Sequence, residues 1–214
     1  MTGPAVYWIG CFLLGSVPFA LLLGFIRNVD IRTVGSHNVG ATNLGRTVGP
    51  AWGFIAFLLD AGKGAGAVIA GRALLTIDGF EPVGGLLVIG AAAAILGHCF
   101  SPFLRFRGGK GVASAAGALV ALAPTVTLVV LIVWLFVLAI TRTIGIASSA
   151  AAVGAVILGV DLTTAAPLTG IPTDRWLGGF LIALGGLVLV KHRGNLAQFF
   201  RRRLRPNLGD GSDR

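Results

Sequence analysis

The chain has 214 residues, 55% of them hydrophobic and 12% charged, with a mean hydropathy of +0.89. Soluble domains carry about 25% charged residues, so this composition excludes an ordinary soluble fold and implies an all-α, polytopic integral membrane helical bundle, one domain over residues 1–214. In such a chain a net charge of +9 reflects Lys and Arg retained in cytoplasmic segments and does not imply nucleic acid.

The first apolar run, Pro4 to Ile26, is long enough to span a bilayer, which takes about 20 residues. No basic segment precedes it, so it reads as a retained helix and not a cleaved signal. Pro18, in Gly15-Ser16-Val17-Pro18, is expected to kink it or free a backbone carbonyl. Asp30 and Arg32 can pair locally in the loop that follows.

That loop carries Gly35-Ser36-His37-Asn38-Val39-Gly40-Ala41-Thr42-Asn43-Leu44-Gly45-Arg46. Glycines let backbone N–H groups turn toward one point, and hydroxyls, amides and a fixed cation suit an oxyanion such as phosphate. The plainer alternative is a polar loop between membrane helices.

The second run, about Val48 to Leu75, contains Asp60 and Lys63, three residues apart and so on one helix face. Charges inside a span mark functional-site candidates because unpaired burial is costly; a neutralised structural pair is the competing explanation. A hydrophilic turn with Arg72, Asp78, Glu81 and Pro82 leads to the third run, Val83 to Cys99. This run ends in a second polar patch with His98, Arg105, Arg107, Gly108, Gly109, Lys110 and Gly111. A lysine-bearing glycine loop opening into a helix near Val112 is a plausible anion site. It is not a nucleotide-binding P-loop: Leu104 and Gly111 occupy positions where that motif needs glycine and Ser or Thr. His98 closes a helix and has capping of carbonyls as its simpler role.

Pro124 splits Val112–Ile140 into a short helix and a full one from about Thr125. Ile144 to Val160 and Trp176 to Val190 supply the last two helices. The final one is expected to end in a third patch, Lys191-His192-Arg193-Gly194-Asn195, followed by a basic cytoplasmic tail over 195–214. Cys11 and Cys99 lie within or at the end of apolar runs and are expected to be unpaired; no metal-ligand spacing is present.

This gives about seven transmembrane helices, with five as the second-ranked count. With the N-terminus outside and the C-terminus cytoplasmic, 14 of the 17 Lys and Arg residues fall on the cytoplasmic side, as the positive-inside rule requires. All three patches then share one face. Ser36, Thr42, Asn43, Arg46, Lys110, His192 and Asn195 would line a cationic pocket at the lip of the bilayer, suited to an amphiphilic phosphate-bearing substrate.

The three patches resemble those of the bacterial acyl-phosphate:glycerol-3-phosphate acyltransferase family, the PlsY family. The resemblance rests on Gly35 to Asn43 with Arg46, Gly108-Gly109-Lys110-Gly111-Val112-Ala113, Lys191-His192-Arg193 with Asn195, the Gly15–Phe19 segment, and Asp60 with Lys63. These occur in the family's order from first helix to last. The resemblance implies a multi-pass enzyme of the bacterial inner membrane, its active site facing the cytoplasm. It would transfer an acyl group from acyl phosphate to the 1-hydroxyl of sn-glycerol 3-phosphate, giving lysophosphatidic acid and phosphate, the first step of phospholipid synthesis. It implies no cofactor and no metal, with membrane lipids as surroundings.

Carried over by position, Ser36, Arg46, Lys110, His192 and Asn195 are the expected catalytic set. Asn38, Gly40, Thr42, Asn43, Gly108 and Gly109 are expected around substrate phosphate, with Asp60, Lys63 and His98 as supporting residues. Two positions depart from the family pattern: His37 stands where glycine is usual, and Gly194 where glutamate is usual. An acyl phosphate is already activated, so positioning and charge stabilisation dominate. Arg46 and Lys110 suit that task, while His192 or the donor's own phosphate accepts the hydroxyl proton. A transporter or channel for a phosphate-bearing solute is the rival from another class. It would need polar groups along a whole pathway, whereas only Asp60 and Lys63 lie deep.

Overall fold

The computed structural model describes residues 3–77 and 84–204; Asp78, Glu81, Pro82 and Val83, the side chain of Arg202, and residues 205–214 of the expected tail lie outside the described residues. Among the described residues the chain is helical: α1 (Gly3–Ser16), α2 (Phe19–Ile26), α3 (Ala41–Thr47), α4 (Pro50–Ile77), α5 (Gly84–Cys99), α6 (Val112–Leu122), α7 (Pro124–Thr141), α8 (Ile144–Thr163) and α9 (Arg175–Leu204). By length and composition, six segments are able to cross a membrane: Gly3–Ile26, Pro50–Leu74, Gly84–Leu104, Pro124–Thr141, Ile144–Thr163 and Arg175–Arg201. The apolar helix Val112–Leu122 is shorter. The sequence predicts about seven crossings; among the described residues six segments qualify by length, and the segment before Pro124 is a helix of 11 residues. Pro124 opens α7, where its missing N–H costs nothing.

The expected break in the first span falls at Val17-Pro18, between α1 and α2. Proline removes a donor and strands carbonyls one turn back, and hydrocarbon offers them no partner. The Leu14 carbonyl accepts the Val17 N–H at 3.3 Å and the Val17 carbonyl the Phe19 N–H at 3.1 Å, and two side chains from elsewhere bond the carbonyls beside the break. Ser101 Oγ donates to the Ser16 carbonyl at 2.7 Å, and Lys63 Nζ donates to the Val17 carbonyl at 3.0 Å. The break is thereby pinned to α4 and to the turn after α5.

Two boundaries differ from expectation. The organising loop contains a helix, α3, with Gly40 as its N-cap residue. The last helix does not end at Val190 but runs on to Leu204, so the third patch and the start of the expected tail are helical. Nothing between Lys191 and Leu204 stops a helix except Gly194, and a single glycine costs only about 1 kcal/mol there.

Packing pairs α8 with α9, α1 with α5 and α4 with α6. Small residues let the backbones touch, the usual route to association in lipid. A Cβ at Gly64 would collide with the Ser114 carbonyl, and one at Gly117 with the Ala61 carbonyl, so α4 and α6 meet without intervening side chains. Leu128, Ile132 and Phe136 of α7 stay exposed, as a lipid-facing helix requires. Gly64→Val should therefore destabilise the bundle by about 1–3 kcal/mol through overpacking, read as a lower thermal midpoint in detergent. Gly62→Ala, where a Cβ meets nothing within 4 Å, should leave the midpoint unchanged.

Candidate active site

The three polar patches come together at one end of the bundle. Lys110, just before α6, donates from Nζ to Asn195 Oδ1 at 2.5 Å. Asn195 in turn lies against Gly145 of α8, where a Cβ would clash with its Nδ2. Because α9 continues as a helix, Lys191 and Asn195 stand one turn apart on the same side, with buried His192 beside them. Arg193 and Gly194 are exposed. Lys191 Nζ donates to the Cys99 carbonyl at 3.0 Å and sits 4.7 Å from the Phe100 ring centroid.

Arg46, on α3, and Lys191 both lie close enough for their charges to act on Lys110; with burial as the largest cause, they hold its ammonium below the ordinary lysine value. No carboxylate pairs with Arg46, Lys110 or Lys191 among the described residues. Three cations held together without a counter-ion form a site for an anion. Lys191 was not among the residues expected to serve the chemistry. Its place in the sequence patch was visible, but its neighbour Lys110 is 81 positions away in the chain.

His192 Nδ1 lies 2.9 Å from the Val188 carbonyl. A carbonyl only accepts, so Nδ1 donates and Nε2 is the ring's acceptor in the neutral form. The ring is thus oriented by the helix backbone. Gly194 itself faces open space.

The Gly35–Arg46 stretch is built around Asn43, which is 1% exposed. Its Nδ2 donates to the Ile31 carbonyl at 2.8 Å and the Val34 carbonyl at 3.1 Å. Its Oδ1 accepts the Ser36 N–H at 2.9 Å. Both amide donors are spent on the loop's own backbone, so Asn43 shapes the loop and has no N–H left over for a phosphate. His37 adopts φ 56°, the left-handed conformation glycine would take, and its Nδ1 donates to the Arg32 carbonyl at 3.0 Å. Arg32 is held by Asp30 at 2.8 Å. Ser36, Thr42 and Arg46 remain exposed, and Asn38 and Gly40 half-buried.

Gly108 and Gly109 are likewise committed. The Gly108 N–H donates to the Cys99 carbonyl at 3.2 Å, and that of Gly109 to the His98 carbonyl at 3.0 Å. A Cβ at Gly108 would strike the His98 carbonyl, and one at Gly109 the His98 ring. Glycine is required here so that the loop lies flat on the end of α5; the donors of these two residues are not open to phosphate. Those of the first turn of α6 are the uncommitted ones that a helix start provides.

Asp60 and Lys63 pair at 2.8 Å and are buried, 1% and 3% exposed. His98 Nδ1 lies 3.5 Å from the same carboxylate oxygen. Cys11 and Cys99 are unpaired and buried.

Comparisons with known proteins bear on the family and the fold. A family model described as glycerol-3-phosphate acyltransferase matches residues 5–202. The chain is 38% identical over 191 residues to a glycerol-3-phosphate acyltransferase of Desulforudis audaxviator, covering 89% of this chain and 88% of that one. It is 39% identical to one of Myxococcus xanthus over 193 residues, 89% and 93% of the two chains. Its fold matches crystal structures of PlsY (YgiH), an integral membrane glycerol 3-phosphate acyltransferase. The glycerol 3-phosphate form gives a TM-score of 0.80 at 32% identity, over 94% of this chain and 93% of that one. The lysophosphatidic acid form gives 0.78 at 31% identity, with the same coverage.

Asn43→Ala should loosen the loop before α3. Leaving the Ser36 N–H and two loop carbonyls without their partner should destabilise by about 1–3 kcal/mol, seen as faster amide exchange across residues 31–36 than in the parent protein.

Proposed function

The chain belongs to the glycerol-3-phosphate acyltransferase family, and on that premise we propose that it moves an acyl group from acyl phosphate to the 1-hydroxyl of sn-glycerol 3-phosphate. Lysophosphatidic acid and phosphate are the products, made at the cytoplasmic face of a bacterial inner membrane. The observation that carries this reading is the convergence of Arg46, Lys110 and Lys191, with no carboxylate among them, beside an oriented His192. Two phosphate groups meet in this reaction, one on each substrate, and both need cations.

The substrate hydroxyl oxygen attacks the acyl carbon, and a tetrahedral oxyanion forms. It collapses with cleavage of the bond between that carbon and the phosphate oxygen, and phosphate departs. Arg46 and Lys110 stabilise charge on the phosphates, Arg46 through a guanidinium able to grip two oxygens at once. The uncommitted N–H groups at the start of α6 add donors directed at the same anion. The hydroxyl proton goes to His192 Nε2, the free acceptor of a ring whose Nδ1 is tied to Val188, and passes from there to the departing phosphate. Asn195 holds Lys110 in place. Ser36 and Thr42 supply exposed hydroxyls to substrate phosphate, and Asn38, Gly40 and Asn43 shape the loop that presents them. The apolar helices beneath receive the fatty chain.

Purified protein in lipid, given glycerol 3-phosphate with either palmitoyl phosphate or palmitoyl-CoA, should release phosphate and lysophosphatidate with the acyl phosphate only. Lys110→Ala should abolish turnover. Equal use of the thioester would overturn the donor assignment, and no turnover with either donor from folded protein would overturn the activity.

The lowered Lys110 ammonium sets the sign of a pH effect. The charged lysine is the form that binds phosphate, and it is lost as pH rises through a value below the ordinary 10.5. Activity should thus fall along an alkaline limb beneath that value. Lys110→Arg, whose guanidinium stays charged, should move the limb upward in a pH–kcat/KM profile.

A further inference from the structure

Asp60, Lys63 and His98 lie outside the set that touches substrate in the mechanism above, yet they are among the few polar side chains buried in the bundle. Asp60 is roughly 15 Å along α4 from its first residue. A buried ion pair is weak evidence for stability, because desolvation offsets much of the attraction. If neutralisation were the whole purpose, Asp60 and Lys63 would suffice. Instead one oxygen of Asp60 faces both Lys63 Nζ, at 2.8 Å, and His98 Nδ1, at 3.5 Å.

Each partner extends to a different element. Lys63 donates to Val17 at the break in the first span. The His98 ring lies against Gly109, filling the space a side chain there would need, while its carbonyl accepts the Gly109 N–H. The next residue is Lys110. The adjoining Cys99 carbonyl accepts both the Gly108 N–H at 3.2 Å and Lys191 Nζ at 3.0 Å. Thus the path from the ion pair to two of the three site cations runs through consecutive residues at the end of α5.

We infer that Asp60, Lys63 and His98 are positioning residues: they lock the His98 ring as a platform under Gly109 and so fix where Lys110 points. This rests on the acyltransferase reading for the consequence of misplacing Lys110, but the platform itself is a matter of geometry. Displacing a catalytic group by about 1 Å can cost about 100-fold in rate.

The test uses the full chain in lipid nanodiscs, assayed with palmitoyl phosphate and glycerol 3-phosphate and by hydrogen exchange. His98→Gln should lower kcat/KM about 10- to 100-fold with an unchanged thermal midpoint, and residues 105–112 should exchange faster. Gly109→Ala, whose new methyl meets the imidazole, should lose activity. The double variant His98→Ala/Gly109→Ala, which removes the obstacle, should recover part of it. Wild-type kinetics and exchange in His98→Gln would overturn the inference, as would a double variant no more active than Gly109→Ala. Where His98→Gln does not fold, the comparison of Gly109→Ala with the double variant decides. If the wild type shows no turnover, the acyltransferase reading fails, and exchange at 105–112 still decides whether His98 holds the loop.

Discussion

A break in a membrane helix is tolerable only where protein satisfies the carbonyls that lipid cannot, and in this chain that requirement ties the bundle together. Pro18 interrupts the helix beside the carbonyls of Ser16 and Val17, the second of which also accepts the Phe19 N–H at 3.1 Å. Their side-chain partners, Ser101 and Lys63, come from the turn after α5 and from the interior of α4. Lys63 is buried where an unpaired charge would be untenable, so Asp60 accompanies it. The first span, α4 and α5 are thereby fixed to one another at a single level, and the loops that leave that level start from defined positions. The site is assembled on this junction.

On the junction sits an excess of positive charge. Arg46 and Lys191 both act on Lys110, and no carboxylate pairs with any of the three among the described residues. The two lysines are each anchored by something other than an anion. Lys110 is held by the Asn195 amide oxygen, and Lys191 by the Cys99 carbonyl and the face of Phe100. Neutral acceptors hold the side chains without cancelling their field. In the proposed reaction an arriving phosphate would supply the missing charge, and electrostatic energy would be released on binding instead of having been used in folding.

The residues that carry charge or break a helix were legible in the sequence: Pro18, the Asp60–Lys63 pair, the split at Pro124, and the patches around Arg46, Lys110 and His192. Their chemistry is intrinsic, and a membrane makes polar residues conspicuous. The jobs of the neutral polar residues were not legible. Asn43 reads as a phosphate ligand because an amide can bond anything; only the fold shows that its oxygen and nitrogen are already used by Ser36, Ile31 and Val34. Gly108 and Gly109 read as open N–H donors, but those donors meet Cys99 and His98 at the end of α5. The end of α9 was set too early for a related reason. Lys191 looks like a charge leaving the membrane, whereas its partners Cys99 and Phe100 allow the helix to continue through it.

The same distinction bears on His37 and Gly194, the two positions expected to depart from the family pattern. Glycine at position 37 would supply a left-handed turn through conformational freedom. His37 takes that conformation, φ 56°, and adds a hydrogen bond from its ring to the Arg32 carbonyl. A carboxylate at position 194 would project into open space on the exposed side of α9, while the His192 ring is already oriented by the Val188 carbonyl one turn earlier. At both positions backbone carbonyls provide the constraint, so the side chain can change without moving the groups that face the substrate. The positions with no such latitude are those where a side chain substitutes for missing backbone partners or touches the site directly. Lys63 and Ser101 bond the carbonyls beside the break, and Lys110 and Asn195 bond one another.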